Sequence, residues 1–213
     1  MKNKRNLLIF LALLSFLSGC AGLPIHDDLK LPPGKIEGHQ FMGIRYPFKV
    51  STPPHWKMTT EFPDFMKKLG FDEPAPYDNE VTELYVFNPS TQSNLQFDFT
   101  PAGKGARFSQ ESIEALTGMA TGSLKDELKE DYGEGIQVEV YPTTAYSLKG
   151  VQYAAKKYVT YTLEGVMREQ GWIYGFSEPY QIFIIYVLFE KEGSNDRQDV
   201  EKILGSFEVY SKQ

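Results

Sequence analysis

Residues 180–189 read YQIFIIYVLF, and this decapeptide decides the fold. In an extended chain Tyr180, Ile182, Ile184, Tyr186 and Leu188 line one side, and Phe183, Ile185, Val187 and Phe189 line the other. β-Branched and aromatic residues dominate, which favours a strand over a helix. The run is also too short for a membrane helix. A strand that is apolar on both faces belongs inside a sheet covered on both sides.

Working outward, residues 166–176 and 151–163 read as two more long strands. Glu164-Gly165 supplies one tight turn and Ser177-Glu178-Pro179 the next. Connections this short make the strands antiparallel neighbours. Residues 136–141 alternate apolar and polar as a shorter strand. Downstream a helix closes the chain, with Ser194 or Asn195 as its cap and Asp196 and Asp199 near its positive end. Val200, Ile203 and Leu204 form its apolar stripe, Gly205 ends it, and residues 206–210 make a final strand.

The first half is more broken. Residues 41–50 are apolar and β-prone, and STPPHW at 51–56 turns out of them, because two prolines forbid a ladder or a helix interior. Residues 60–70 suit a short helix, with Pro63 in its first turn, Phe65, Met66 and Leu69 on one face, and Gly70 as its stop. A proline-rich loop at 72–79 follows. Strands at 81–87 and 95–99 flank the turn-rich NPSTQSN at 88–94. Residues 109–132 are the longest helix candidate, capped by Ser109 and striped by Ile113, Leu116, Ala120, Leu124 and Leu128. Gly118 and Gly122 within it cost ~1 kcal/mol each relative to alanine, so the stripe must pack or the helix breaks there. Charges of both signs at Lys125, Asp126, Glu127, Lys129, Glu130 and Asp131 mark its solvated side. The sum is an α+β fold, a three-layer α/β/α sandwich with a mostly antiparallel central sheet.

Ahead of this domain stands a different kind of segment. Lys2, Lys4 and Arg5 precede a mostly apolar run at 7–17, which ends in Leu17-Ser18-Gly19-Cys20. As a helix the run reaches only ~16 Å, against roughly 30 Å of hydrocarbon. A charged n-region, an apolar h-region and small residues at a cut site define a secretory leader. Leu17, Ser18, Gly19 and Cys20 resemble the lipobox of bacterial lipoproteins. The resemblance implies a diacylglyceryl group on the Cys20 thiol, cleavage between Gly19 and Cys20, and acylation of the new amino group. Several acyl chains hold a protein stably where one does not. Ala21 stands where an aspartate often marks inner-membrane retention, so the resemblance implies the outer membrane, facing the periplasm, in a two-membrane bacterium. The expected division is a signal peptide at 1–19, lipidated Cys20 with a flexible tether to residue 39, and one domain at 40–213. Pro24, Pro32, Pro33, Gly34 and Gly38 punctuate the tether, which shows no apolar period.

Composition narrows the partners. Removing the leader leaves 19 Lys+Arg against 28 Asp+Glu, a formal charge of −9. Such a surface repels nucleic acid, and no basic run offsets it. Cys20 is the only cysteine, so its lipidation excludes an intrachain disulfide and stability must come from packing.

Four pieces of the domain resemble the PsbP-like/Mog-type superfamily. They are the turn with Pro53, Pro54 and Trp56, the hairpin with Asn88, Pro89, Ser93 and Asn94, the strand end Tyr161-Thr162-Leu163-Glu164-Gly165, and the closing helix leading to Ser206-Phe207. Their order and spacing cover residues 41–210. The superfamily includes the photosystem II extrinsic protein PsbP, a yeast Ran-binding protein and DcrB-like envelope lipoproteins. The resemblance implies the sandwich fold and a non-catalytic accessory or binding role, with no catalytic residues to carry over.

The residues offer little chemistry of their own. His26, His39 and His55 are the only histidines, and none follows residue 55. A Ser-His-Asp arrangement would have to use His55, which beside Trp56 reads as a turn residue. His26 and His39 sit in the tether and read as solvated. Zinc-type spacing is absent, and Gly103-Lys104-Gly105 lacks the rest of a phosphate loop. Trp172, Tyr174 and Phe176 alternate on one strand face, as core or as the wall of a groove. No catalytic residue, cofactor or metal is therefore expected. Three functions remain open at this point: an anchored module docking on an unidentified envelope protein, a binder of a small or lipidic ligand, and a carboxylate-based hydrolase.

Overall fold

The computed structural model describes residues 30–68, 81–103, 105–119, 122–191 and 193–210. The leader, Cys20, the first part of the spacer and the 72–79 loop lie outside the described residues. The protein is an α+β sandwich built on antiparallel pairing.

Strand β11 (Tyr180–Glu190) lies inside the main sheet, as its two apolar faces require. It pairs on one side with β6 (Asn94–Pro101) and on the other with β10 (Val166–Ser177). The sheet continues from β6 through β5 (Val81–Phe87) to β4 (Lys57–Thr59). From β10 it continues through β9 (Tyr153–Leu163) to β7 (Val138–Val140), with β8 (Thr144–Ala145) also on β9. Glu164 and Gly165 both take positive φ, 52° and 77°, in a two-residue loop whose twist matches that of β9 and β10.

Both faces of β11 are covered. Ile182, Ile184, Tyr186 and Leu188 pack with Phe97 and Phe99 against Phe41, Phe48, Val200, Ile203 and Phe207. Phe183 and Ile185 lie on the opposite face with Trp172, Tyr161 and Leu128. Each fully buried side chain of this kind contributes ~1.5–3 kcal/mol, so the two clusters dominate the stability of the domain.

The layer over the first face combines a helix and a small sheet. Helix α4 (Asp196–Ser206) packs there beside strands β1 (Gly34–Glu37), β2 (Gln40–Gly43), β3 (Phe48–Ser51) and β12 (Glu208–Val209). Over the other face lie α2 (Gln110–Met119) and α3 (Gly122–Tyr132). Ser109 and Ser112 cap α2 reciprocally, each backbone N–H donating to the other's hydroxyl. A short α1 (Asp64–Lys68) precedes β5. Among the described residues no helix is long and apolar enough to cross a membrane.

The expected 109–132 helix is helical over Gln110–Met119 and Gly122–Tyr132, and residues 120–121 between them lie outside the described residues. Two expectations need correction. The 41–50 strand is a hairpin, β2 and β3. A side chain at Gly43 would stand 2.0 Å from the Tyr46 carbonyl, so only glycine permits this reversal. The tether does not extend to residue 39, because residues 34–37 form β1 and pair antiparallel with β2. β1 has an exposed, largely polar edge and thus no apolar period to betray it.

Candidate functional site

Three of the four segments that carry the family resemblance meet at the start of α4. The 52–56 turn closes through the Trp56 N–H donating to the Pro53 carbonyl at 3.0 Å, which buries the indole and leaves His55 beside it at the surface. The 88–93 loop folds round Asn88, whose backbone N–H donates to Ser93 and whose side-chain oxygen accepts from Ser90. The first turn of α4 contributes Asp196 and Asp199, each only 3% exposed.

The polar groups interlock. Trp56 Nε1 donates to Asp199 Oδ2 at 3.3 Å, and His55 Nε2 stands 2.8 Å from the same oxygen. Lys202 Nζ donates to Asp199 Oδ1 at 2.9 Å. Asn88 Nδ2 donates to Asp196 Oδ1 at 2.8 Å. Asp196 Oδ2 is buried and, among the described residues, has no hydrogen-bond partner. Burial works to raise the Asp199 pKa, but hydrogen bonds from Lys202 and Trp56 and the charges of Lys202 and His55 outweigh it and hold the carboxyl below its usual range. The positive end of α4 also favours both carboxylates. One ring nitrogen of His55 and one oxygen from each aspartate lie within 4.8 Å of one another.

A second network begins one residue along the helix. Arg197 Nη1 donates to Glu169 Oε2 at 2.5 Å and Nη2 to Glu190 Oε1 at 2.6 Å. Tyr186 OH donates to Glu169 Oε1 at 2.8 Å, and Glu169 is buried. Burial and then the Glu169 charge push the Tyr186 phenol far above its ordinary pKa, so it stays protonated and remains a donor. A cleft of about 250 Å³ between the two networks is lined by Glu190, Asp196 and Arg197 among others.

The residues singled out from the sequence divide accordingly. Leu17, Ser18, Gly19, Cys20 and His26 lie outside the described residues. His39 is exposed in the β1–β2 turn, so it belongs to the domain edge rather than to a tether. Trp172 and Phe176 are core residues under α3 and α2, and Tyr174 packs with them. His55 is a turn residue as expected, yet it is joined to Asp199. In the sequence Asp196 and Asp199 read only as helix-end charges. Their spacing puts them on one face of α4, but nothing in the chain links them to a histidine more than a hundred residues upstream. A triad on His55 needs a nucleophile against its ring, and among the described residues no Ser, Thr or Cys hydrogen-bonds it.

No family model and no curated protein matches the chain. Solved structures do match. Cyanobacterial PsbP (CyanoP) from Synechocystis is 11% identical, with 91% of this chain and 99% of that one covered at a TM-score of 0.50. LpqN of Mycobacterium tuberculosis, described as involved in cell envelope biogenesis, is 14% identical over 84% of this chain and 86% of its own, at a TM-score of 0.49. At such identity the likeness to CyanoP shows the fold, which is PsbP-like.

Proposed function

We propose that this chain is a bacterial envelope lipoprotein, held to the membrane through acylated Cys20, whose domain is a non-catalytic accessory module docking on an envelope protein. The observation that carries the reading is the leader ending in Leu17-Ser18-Gly19-Cys20 ahead of a PsbP-like domain. How the domain holds its own N-terminal end supports it. Arg45 Nε and Nη2 both donate to the Leu31 carbonyl, and the Ile44 and Arg45 N–H groups donate to the Pro33 carbonyl. The line to the anchor is therefore fastened to the domain at Leu31. From Cys20 it reaches at most ~40 Å even when fully extended. A module kept that close to the bilayer meets membrane partners at high effective concentration, so a modest docking affinity suffices.

The test compares wild type with Cys20→Ser in cells fed a fatty-acid analogue. Wild type should take up label, fractionate with membranes and complement a deletion strain. The variant should be unlabelled and fail to complement at native expression while its domain stays folded. Equal labelling of the two proteins would overturn the anchor. Full complementation by an unlabelled variant would overturn the need for it.

A further inference from the structure

We propose that His55, Asp196 and Asp199 bind one divalent transition-metal ion, of the class that accepts an imidazole together with carboxylates, with zinc the first choice. Three observations carry this beyond an acidic cluster. Asp196 keeps a carboxylate oxygen that is buried and, among the described residues, has no hydrogen-bond partner, in a side chain only 3% exposed. A buried carboxylate oxygen left in that state is costly unless a cation or proton satisfies it. The donor set is already convergent, with the three ligand atoms mutually within 4.8 Å and His55 Nε2 2.8 Å from Asp199 Oδ2. Tetrahedral zinc places neighbouring ligand atoms ~3.4 Å apart, inside that range. Finally, the groups behind the donors are arranged as an outer shell. Asn88 fixes Asp196 through its Oδ1, and Trp56 and Lys202 fix Asp199. Such partners orient ligands and set their basicity.

Lys202 does not replace the ion. Its ammonium is bonded to Asp199 Oδ1 and leaves Asp196 Oδ2 uncompensated. The imidazole selects against magnesium and calcium, which prefer oxygen alone. His55 is 57% exposed at its side chain, so an ion can enter from that side and complete its coordination there with water or a partner's group. Binding exchanges the His55–Asp199 contact for two bonds to the metal and ties the 52–56 turn to α4.

The experiment uses the full chain, purified in detergent, stripped of metal and titrated with zinc chloride in a calorimeter. Saturable binding of one ion per chain is expected. His55→Ala and Asp196→Asn should each weaken it at least tenfold, while His39→Ala should leave it unchanged. Cobalt in place of zinc should give the visible bands of a low-coordinate site, lost in His55→Ala. Absence of saturable binding overturns the proposal. Unchanged affinity in both variants, or loss of binding in His39→Ala, overturns it by placing the ion elsewhere. Should Asp196→Asn fail to fold, His55→Ala decides alone, because the residue sits in an exposed turn.

Discussion

Tyr186 occupies the space where Gly171 would carry a side chain. The two are register partners across β10 and β11, and a Cβ at 171 would stand 2.1 Å from Tyr186 Cζ. The ring has no freedom to withdraw, because it is fully buried and its hydroxyl is tied to Glu169. Gly171→Ala should therefore destabilise by ~1–3 kcal/mol or more, as overpacked cores do. For a domain of this size that lowers the melting temperature by roughly 2–12 °C. A calorimetric scan matching wild type would show that the contact is not rigid.

The Tyr186 hydroxyl has a separate role. Among the described residues it is one of two side-chain donors to Glu169, and Arg197 is the other. Tyr186→Phe leaves a buried carboxylate oxygen without its partner, which costs ~1–3 kcal/mol. The urea midpoint should fall while the denaturant slope stays constant. Pairing the change with Glu169→Gln should recover part of the loss, since an amide is less costly to leave half-satisfied than a charge.

The fold was legible where local signals agreed. The strands at 151–163, 166–176 and 180–189 are legible because short turns connect them and because the last of them is apolar on both faces. The hairpin at 88–94 is equally plain, since the Asn-, Pro- and Ser-rich NPSTQSN separates two apolar runs. What escaped notice depends on contacts far apart in the chain. β1 is a strand only because β2 lies beside it, and its own residues carry no period. Gly43 reverses the chain between two segments that otherwise read as one strand. The candidate site is less legible still. His55, Asn88, Asp196 and Asp199 sit on a turn, a loop and a helix, and only the closure of α4 over the sheet brings them together. Asn88 and Trp56 stand out in the sequence through the resemblance they carry, but their bonds to the two aspartates do not.

The two faces of β11 make a paired prediction. Ile184 is fully buried against the small sheet and α4, and Ile185 is half-buried under the α3 side. An unpaired charge at Ile184 should cost ~3–5 kcal/mol, a large part of the ~5–15 kcal/mol that holds a domain together. Ile184→Asp should therefore express mostly unfolded, and Ile185→Asp should fold with a clearly lowered melting temperature. Wild-type melting of both variants would mean that the strand is not interior.

Glu83 makes stability depend on pH in an unusual direction. Its side chain is wholly buried in β5, where Arg45 Nη1 donates to Oε1 at 2.8 Å and Oε2 has no hydrogen-bond partner among the described residues. Burial raises its pKa from 4.5 to about 7, with the nearby Asp98 adding to the rise and the Arg45 charge and hydrogen bond only partly offsetting it. Between those two values the folded protein holds a proton that the unfolded chain has released. Stability from this group is therefore full below 4.5 and is lost as pH rises through about 7. A paired surface carboxylate behaves in the opposite sense. Glu83→Gln keeps an acceptor for Arg45 and cannot ionise, so it removes the dependence. Urea unfolding of both proteins at several pH values isolates the effect, because every other titrating group is common to the two. Between pH 5 and pH 8 wild type should lose on the order of 1–3 kcal/mol relative to Glu83→Gln. The fastening of Leu31 by Arg45 should loosen only where Arg45 itself is replaced, so Arg45→Met should free the 30–33 segment to proteolysis at every pH. Parallel stability curves for wild type and Glu83→Gln would mean that the carboxyl is ionised throughout and that Arg45 satisfies it fully.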